Sequence, residues 1–212
     1  MSVLLILAQN DFLDLKTCMD VRHIYGKKIL SHQIHAAKSK LDISRTIYIG
    51  DSTTEQIKTA RYHSFQYIEN TSVNYGGALQ TALPLIGHER LVIMHGGVWV
   101  PPNFFSKINP NTNALLYKYS NKKHKNKIGC VVQNNQVLNL FFDIIMPWSG
   151  CIILQADAVM QLKALDPETY NFKFDFEIYN SLIDDFKFVG YSRTFKACKR
   201  ASDINEVESG KS

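Results

Sequence analysis

The residues best suited to chemistry in this sequence are His95, Gly96 and Gly97, which follow a short apolar run. That run, residues 91–94, is too short for a helix and lacks polar alternation, so it predicts a strand buried on both faces. The two glycines allow a turn at the carboxyl end of the strand, or a close approach by another group. Ligands of open α/β sheets bind at these strand ends. The stretch therefore predicts the floor of a binding site, with an ordinary strand-to-loop turn as the alternative, and His95 either contacts a ligand or hydrogen-bonds within the loop.

Two other constellations could carry chemistry. Gly76 and Gly77 precede a predicted helix, where backbone N–H groups can face a phosphate. His32 and His35 are three residues apart on another predicted helix, a spacing that can chelate a metal, but the sequence offers no third ligand. The Gly-x-Ser-x-Gly motif of a serine hydrolase is absent. We therefore expect no metal site and no hydrolase triad.

The elements that must position these residues alternate between strand and helix in the first hundred residues. The predicted strands are 3–8, 46–50, 65–68 and 91–94. Three helices are predicted between them: one has an apolar face that begins at Leu30, a second lies within 52–62, and a third has an apolar face that begins at Leu79. Such alternation is typical of a mostly parallel sheet covered on both faces. The fold class expected is α/β, a three-layer Rossmann-like domain with a central mixed, mostly parallel sheet.

The second half of the chain changes character. Residues 129–142 predict a hairpin that turns at Asn134 and Asn135. Further strands are expected at 115–119, 151–154 and 189–197, and helices before Pro167 and around Ile178. Without a repeat or a linker, the sequence predicts one domain over residues 1–204 and a flexible tail over 205–212.

Composition excludes several classes. A chain of 212 residues with 45% hydrophobic and 20% charged residues is typical of one globular domain. The four cysteines are scattered, which predicts reduced thiols and a cytoplasmic protein, and no stretch approaches a membrane span. The net charge of +5 is partly local, in a lysine cluster between Lys118 and Lys127 that favours a solvated loop over a phosphate site. We expect no membrane and no nucleic-acid partner.

Several segments, in order, resemble the family of nucleotidyltransferases that join a nucleoside triphosphate to a sugar phosphate. The resemblance covers nearly the whole chain. Residues 5–8 are similar to the opening strand of the family, 26–32 to its "GKPLLEH" segment and 91–98 to its "vlvlnGDvl" strand. Residues 148–152 are similar to its "nSGiy" segment, and 176–183 to the acidic helix that follows.

This resemblance implies the nucleotide-diphospho-sugar transferase fold and a set of site residues. The nucleotide-binding residues it implies, together with the strand end described above, are Ala8, Gln9, Asn10, Gly76, Gly77, His95, Gly96 and Gly97. The sugar-binding residues it implies are Gly150 and Glu177.

The sequence departs from the family where the chemistry should occur. The family has a glycine-rich phosphate loop after its first strand, but this chain has no glycine between Ala8 and Gly26. Cys18 and Met19 stand where the family has the catalytic lysine, and Gly97 stands where it has the aspartate that binds magnesium. The second carboxylate, near the C-terminus, is also missing from residues 195–199.

Two hypotheses follow. In the first, the domain has lost catalysis and serves as a binding or structural component. It then binds a nucleotide, a sugar nucleotide, another protein or a second copy of itself, and it needs no cofactor. In the second, it is a divergent active enzyme that makes a sugar nucleotide with Mg²⁺, for which Asp11, Asp51 and Asp143 are the candidate metal ligands.

Overall fold

The computed structural model describes residues 1–8, 19–71, 74–120, 127–142, 145–166, 168 and 175–210. Of the residues singled out above, Gln9, Asn10, Asp11, Cys18 and Asp143 lie outside the described part. The same holds for Lys122, Lys123 and Lys125 of the lysine cluster.

Strands make up the centre of the domain. In chain order they are β1 (Ser2–Ala8), β2 (His23–Ile24), β3 (Lys27–Lys28), β4 (Ile43–Gly50), β5 (Gln66–Glu69), β6 (Arg90–His95), β7 (Val98–Trp99), β8 (Asn113–Tyr117), β9 (Ile128–Gln133), β10 (Gln136–Phe142), β11 (Trp148–Leu154), β12 (Phe188–Ser192) and β13 (Lys196–Ala197). The helices are α1 (Ile29–Lys38), α2 (Thr54–Tyr62), α3 (Tyr75–Ala82), α4 (Ala156–Ala164), α5 (Asp175–Asp185) and α6 (Ala201–Glu208).

Among the described residues, the main sheet has nine strands in the order β5-β4-β1-β6-β11-β8-β12-β10-β9. Strands β5, β4, β1 and β6 are mutually parallel, and β11 runs antiparallel between β6 and β8. β6 is thus an inner strand, with residues 91–94 fully buried, as its apolar run predicts. The mixed, mostly parallel α/β sheet expected from the sequence is confirmed.

The core lies on both sides of this sheet. On one side, alternate residues of β1 and β6 such as Leu5 and Ile93 pack with Leu79 of α3 and Leu182 of α5. On the other, the intervening residues pack with α1 and α2. A strand inside a parallel sheet faces apolar residues on both sides, so its sequence reads as a continuous apolar run.

The hairpin between β9 and β10 turns at Asn134 and Asn135, which have φ values of 51° and 61°. Asparagine tolerates this left-handed backbone, and paired left-handed residues match the twist of a two-residue hairpin. The turn is therefore where the sequence places it. The strand expected over 189–197 is divided: β12 ends at Ser192, and β13 pairs with β7 in a small separate sheet.

The C-terminal segment differs from the expected tail over residues 205–212. Residues up to Glu208 belong to helix α6, and Val207 is buried against Ile24 and Ile29. The Tyr25 hydroxyl donates to the Val207 carbonyl oxygen at 2.5 Å, and the Tyr25 N–H donates to Glu208 at 2.9 Å. One buried apolar residue among eight gives too weak a periodicity to be recognised in the sequence. In the described part of the chain, no helix is long and apolar enough to cross a membrane.

Candidate functional site at the strand ends

The carboxyl ends of β1, β4 and β6 lie side by side. Ala8 is in register with Gly50 of β4, and Leu7 is in register with His95 of β6. Parallel pairing requires this, because adjacent parallel strands end at the same edge of a sheet. The predicted residues Ala8, His95, Gly96 and Gly97 are therefore brought together.

Each glycine of the pair has its own structural reason. The Gly96 N–H donates to the Leu7 carbonyl oxygen at 2.8 Å, and a Cβ at position 96 would lie only 2.5 Å from the Ala8 Cβ. Only glycine permits that approach to β1. Gly97 has a φ of 73°, in the left-handed region, and its carbonyl oxygen accepts the Cys198 N–H at 2.9 Å. The pair thus serves both purposes expected of it, a close approach at Gly96 and a turn at Gly97.

His95 lies in a cluster of aromatic rings, which we call the aromatic cluster: His95, Tyr75, Trp148 and Tyr179. The His95 ring centroid is 5.2 Å from that of Tyr75 and 5.3 Å from that of Trp148. Tyr179 contacts both Trp148 and Tyr75, and the two tyrosine hydroxyls form a hydrogen bond. The tilted contact with Tyr75 and the edge-on contact with Trp148 hold the imidazole against the strand ends.

Gly150 makes room for the imidazole. A Cβ at this position would lie 2.6 Å from two atoms of the His95 ring, and Gly150 has a φ of 73°. Of the other predicted residues in the described part, Gly76 and Gly77 follow Tyr75 in the first turn of α3, and Glu177 lies two residues before Tyr179 on α5. The aromatic cluster therefore joins the elements that carry the predicted nucleotide-binding and sugar-binding residues.

The amino end of α3 is capped from within the chain. Asn74 accepts the Gly77 N–H at 2.8 Å through its side-chain oxygen, which is a standard N-cap contact. Gly76 is buried, and Gly77 is half-buried. The Gly77 N–H, which the sequence suggested as a donor to phosphate, already donates to Asn74 in this structure.

Asp20 is a buried carboxyl group at the same edge of the sheet. The sequence analysis did not single out this residue. It is 3% exposed, and its Cβ lies 3.4 Å from the position of a Cβ on Gly96. Burial raises the pKa of Asp20 to about 6, while hydrogen bonds from Tyr48 and Gln56 act in the opposite direction and the negative charge of Asp51 adds to the increase. Asp20 stands in a polar-rich segment without apolar periodicity, so nothing in the sequence marked it as buried.

Gln56 connects this carboxyl group to the strand ends. Its side-chain amide donates to the Ala8 carbonyl oxygen at 3.1 Å, and its side-chain oxygen accepts the Asp51 N–H at 3.0 Å. Gln56 is completely buried, and Gly50 provides the space for its side chain. Helix α2 thereby fixes the ends of β1 and β4 relative to each other.

The histidines and carboxylates considered as metal ligands do not come together in the described part of the chain. Across the described ranges, no three His, Cys, Asp or Glu side chains form a group able to hold a metal ion. His32 hydrogen-bonds the Ile24 carbonyl oxygen at 2.9 Å through Nε2, and His35 is exposed. Asp203 accepts the N–H groups of Lys199 and Arg200 at the start of α6. Of the candidate ligands named for an active enzyme, only Asp51 falls in the described part.

Lysines gather near the same edge. β13 brings Lys196 beside Trp99, where its ammonium group pairs with Glu206 and lies 3.9 Å from Asp203. Partial desolvation lowers the pKa of Lys127, and the positive charges of Lys196 and Lys199 lower it further. Lys118 also lowers this pKa, whereas the negative charge of Asp203 acts in the opposite direction.

Among known proteins, solved structures share the fold of this chain. No family model matches the sequence, and no curated protein matches it. Solved structures do match. CTP:phosphocholine cytidylyltransferase from Streptococcus pneumoniae has a TM-score of 0.77 at 13% identity, with 100% of this chain and 99% of that chain covered. The inositol-1-phosphate CTP transferase from T. maritima has a TM-score of 0.75 at 10% identity, with 98% and 93% covered. A UDP-glucose pyrophosphorylase in complex with UDP-glucose has a TM-score of 0.75 at 11% identity, with 99% and 97% covered.

These structural neighbours are nucleotidyltransferases, and the match extends over nearly the whole of both chains. The chain therefore has the fold of the sugar-phosphate nucleotidyltransferases, as the sequence resemblance implies. At 10–13% identity the likeness defines the fold alone.

Proposed function

We propose that this domain uses the nucleotidyltransferase fold to bind a phosphorylated small molecule, a nucleotide or a sugar nucleotide, without transferring the nucleotidyl group. The observation that carries the proposal is Gly97. It occupies the strand-end position at which the family resemblance implies a magnesium ligand, and its backbone is committed to a left-handed turn tied to Cys198.

The proposed loss of catalysis rests on what nucleotidyl transfer requires. The negative charge that develops around the α-phosphorus must be neutralised by metal and lysine in the transition state. Gly97 has no side chain. Asp203, the first carboxylate after the segment 195–199, accepts hydrogen bonds at the start of α6. Asp20 is close to Gly96, but its burial penalises the ionised form that binds a cation. Removal of one charge-stabilising group commonly costs a factor of about 100–1000 in rate.

Ligand binding has support of a different kind. The strand ends, the first turn of α3 and the aromatic cluster surround one edge of the sheet, and ligands of open α/β sheets bind at such an edge. Lys118, Lys127 and Lys199 lie within electrostatic range of one another, and neighbouring ammonium groups favour a phosphate ligand. Structural neighbours are named for reactions of phosphate esters, which agrees with a phosphorylated ligand.

A specific observation keeps a divergent active enzyme as the second candidate. The negative charge of Asp51 contributes to the raised pKa of Asp20, so these two carboxyl groups lie within electrostatic range of each other at this edge. Asp11, Asp51 and Asp143 are the candidate ligands that the sequence suggests for this alternative, and Mg²⁺ would neutralise phosphate charge when bound. In this alternative Asp51 would hold the metal and the lysines would orient the sugar phosphate.

A pyrophosphate-release assay with the four nucleoside triphosphates and a panel of sugar phosphates separates the two candidates. We expect no turnover with Mg²⁺ or Mn²⁺, together with saturable binding of at least one nucleotide or sugar nucleotide in calorimetry. Turnover that is abolished by Asp11→Ala or Asp143→Ala would overturn the proposal in favour of the active enzyme. Absence of both turnover and nucleotide binding would overturn it as well, in favour of a purely structural component.

A further inference from the structure

A concave site lies away from the strand ends, between the β2–β3 hairpin, the first turn of α1 and the exposed face of α2. We call it the lysine cleft. Its volume is about 670 Å³, within the usual range for small-molecule sites. It is lined by His23, Gly26, Lys27, Lys28, Ser31, Glu55, Lys58, Thr59, Tyr62 and His63. None of the strand-end residues named above is among them.

The charge of the lysine cleft is positive. Three lysines, Lys27, Lys28 and Lys58, face a single carboxylate among the described lining residues, that of Glu55. Glu55 is itself exposed and lies 3.8 Å from the Lys28 ammonium group, so it only partly offsets one of the three charges. An excess of positive charge in a concave surface concentrates anions.

The Lys28 ammonium group is held in place. Its side chain is 22% exposed, and Nζ donates to the Thr59 hydroxyl at 2.7 Å. A lysine fixed in this way loses less conformational freedom on binding than one extended into solvent. Ser31 also lines the cleft, with its hydroxyl 3.4 Å from His63 Nε2.

Two rings, those of Tyr62 and His63, also line the cleft. His63 stacks on Phe65 with ring planes only 8° apart and centroids separated by 5.1 Å, which fixes the orientation of the imidazole. Tyr62 contacts His63 edge-on, yet 85% of Tyr62 is exposed. An exposed tyrosine beside lysines offers a flat apolar face to a planar ligand group, next to donors suited to phosphate.

We propose that the lysine cleft binds a small molecule that carries a phosphate or pyrophosphate group and a planar ring, as a nucleoside diphosphate does. Lys28, Lys58 and Ser31 hold the phosphate oxygens, and Tyr62 stacks on the ring. This site is additional to the strand-end site, and either can exist without the other.

The position of α2 gives the lysine cleft a connection to the strand ends. One face of α2 presents Lys58 and Thr59 to the cleft, while Gln56 on its inner face holds Ala8 and Asp51. A ligand that contacts the outer face of α2 therefore contacts the helix that braces β1 and β4.

The test uses the full chain labelled with ¹⁵N, titrated separately with inorganic pyrophosphate and with ADP, and observed through backbone amide resonances. We expect both probes to shift the signals of Ser31, Thr59 and His63.

Lys28→Gln and Lys58→Gln should each weaken pyrophosphate binding about tenfold, since a hydrogen bond to a charged group is lost. Lys58 is exposed, so its variant keeps the test valid if Lys28→Gln fails to fold. Lys40→Gln, an exposed lysine beyond the end of α1, is the charge-matched control and should bind as the unmodified protein does.

Tyr62→Ala tests the ring contact. It should weaken ADP binding about fivefold or more and leave pyrophosphate binding unchanged, because only ADP has a base to stack. Equal loss for both probes, or for neither, would overturn the ring assignment. Shifts confined to Gly77, Gly97 and Cys198 would overturn the lysine cleft while supporting the strand-end site, so failure of one proposal is distinguishable from failure of the other.

Discussion

The Tyr48 hydroxyl donates a hydrogen bond to the Asp20 carboxyl group beneath the ends of β1 and β4. Both residues are buried, and Gln56 is a further hydrogen-bond partner of Asp20. This arrangement places an ionisable group in the interior beside the candidate site, and burial favours its neutral form.

The first prediction concerns pH. The pKa of Asp20 is raised from 3.8 to about 6, so between these values the folded chain binds this proton more tightly than the unfolded chain. The contribution of Asp20 to the free energy of unfolding is therefore greatest below about pH 4, decreases as pH rises towards 6, and is constant above. The decrease should be on the order of 2–3 kcal/mol.

Asp20→Asn should remove this pH-dependent decrease in the free energy of unfolding. Urea unfolding of both proteins at pH 4, 5, 6 and 7 would measure the difference. Asp184→Asn, on an exposed part of α5, is the control. Parallel profiles for wild type and Asp20→Asn would contradict the assignment.

The second prediction concerns the turn. Gly97 has a φ of 73°, a conformation that costs an L-residue about 1 kcal/mol or more, so Gly97→Ala should lower the free energy of unfolding by at least that amount. Gly87→Ala, at an exposed glycine whose added Cβ would have only one ordinary contact at 3.4 Å, should change it little. An equal midpoint of unfolding for Gly97→Ala and wild type would show that the turn tolerates a side chain.

The third prediction concerns metal. With a nucleotide present, Mg²⁺ and Mn²⁺ should bind weakly, because position 97 supplies no carboxylate ligand. If the site is a degenerate form of the one in active relatives of this fold, Gly97→Asp should increase the affinity for Mn²⁺, at some cost in stability from the left-handed backbone. Isothermal titration of both proteins, with Gly97→Asn as a control that has the same shape without the charge, measures the effect. Tight stoichiometric metal binding by the wild type would refute this prediction.

The fourth prediction tests whether helix α6 is part of the folded domain. Val207 is 1% exposed and packs on Ile24, so Val207→Ala should cost about 1–2 kcal/mol. Glu206 is exposed on the same helix and pairs with Lys196 at the surface. Glu206→Gln should cost far less, since exposed ion pairs contribute little. Equal stability of Val207→Ala and wild type in chemical unfolding would indicate a frayed tail, as the sequence alone led us to expect.

What the sequence by itself determined was the arrangement of local elements. The apolar runs of β1 and β6, the helical spacing that begins at Leu30, and the turn at Asn134 all indicate conformations through residues close together in the chain. The sequence also indicated that the backbone at Gly96 and Gly97 makes a turn or a close approach, because the absence of a Cβ is known from the residue type alone.

Only the tertiary structure decided which side chains meet at the strand ends and in the lysine cleft. Tyr48 and Asp20 are 28 residues apart, Tyr75 and Tyr179 are 104 apart, and Tyr25 and Glu208 are 183 apart. No local pattern encodes such pairs, because they form when the sheet brings distant strand ends and helices together. The burial of Asp20, the aromatic cluster around His95 and the docking of α6 therefore became visible only when the strands were placed in their order in the sheet.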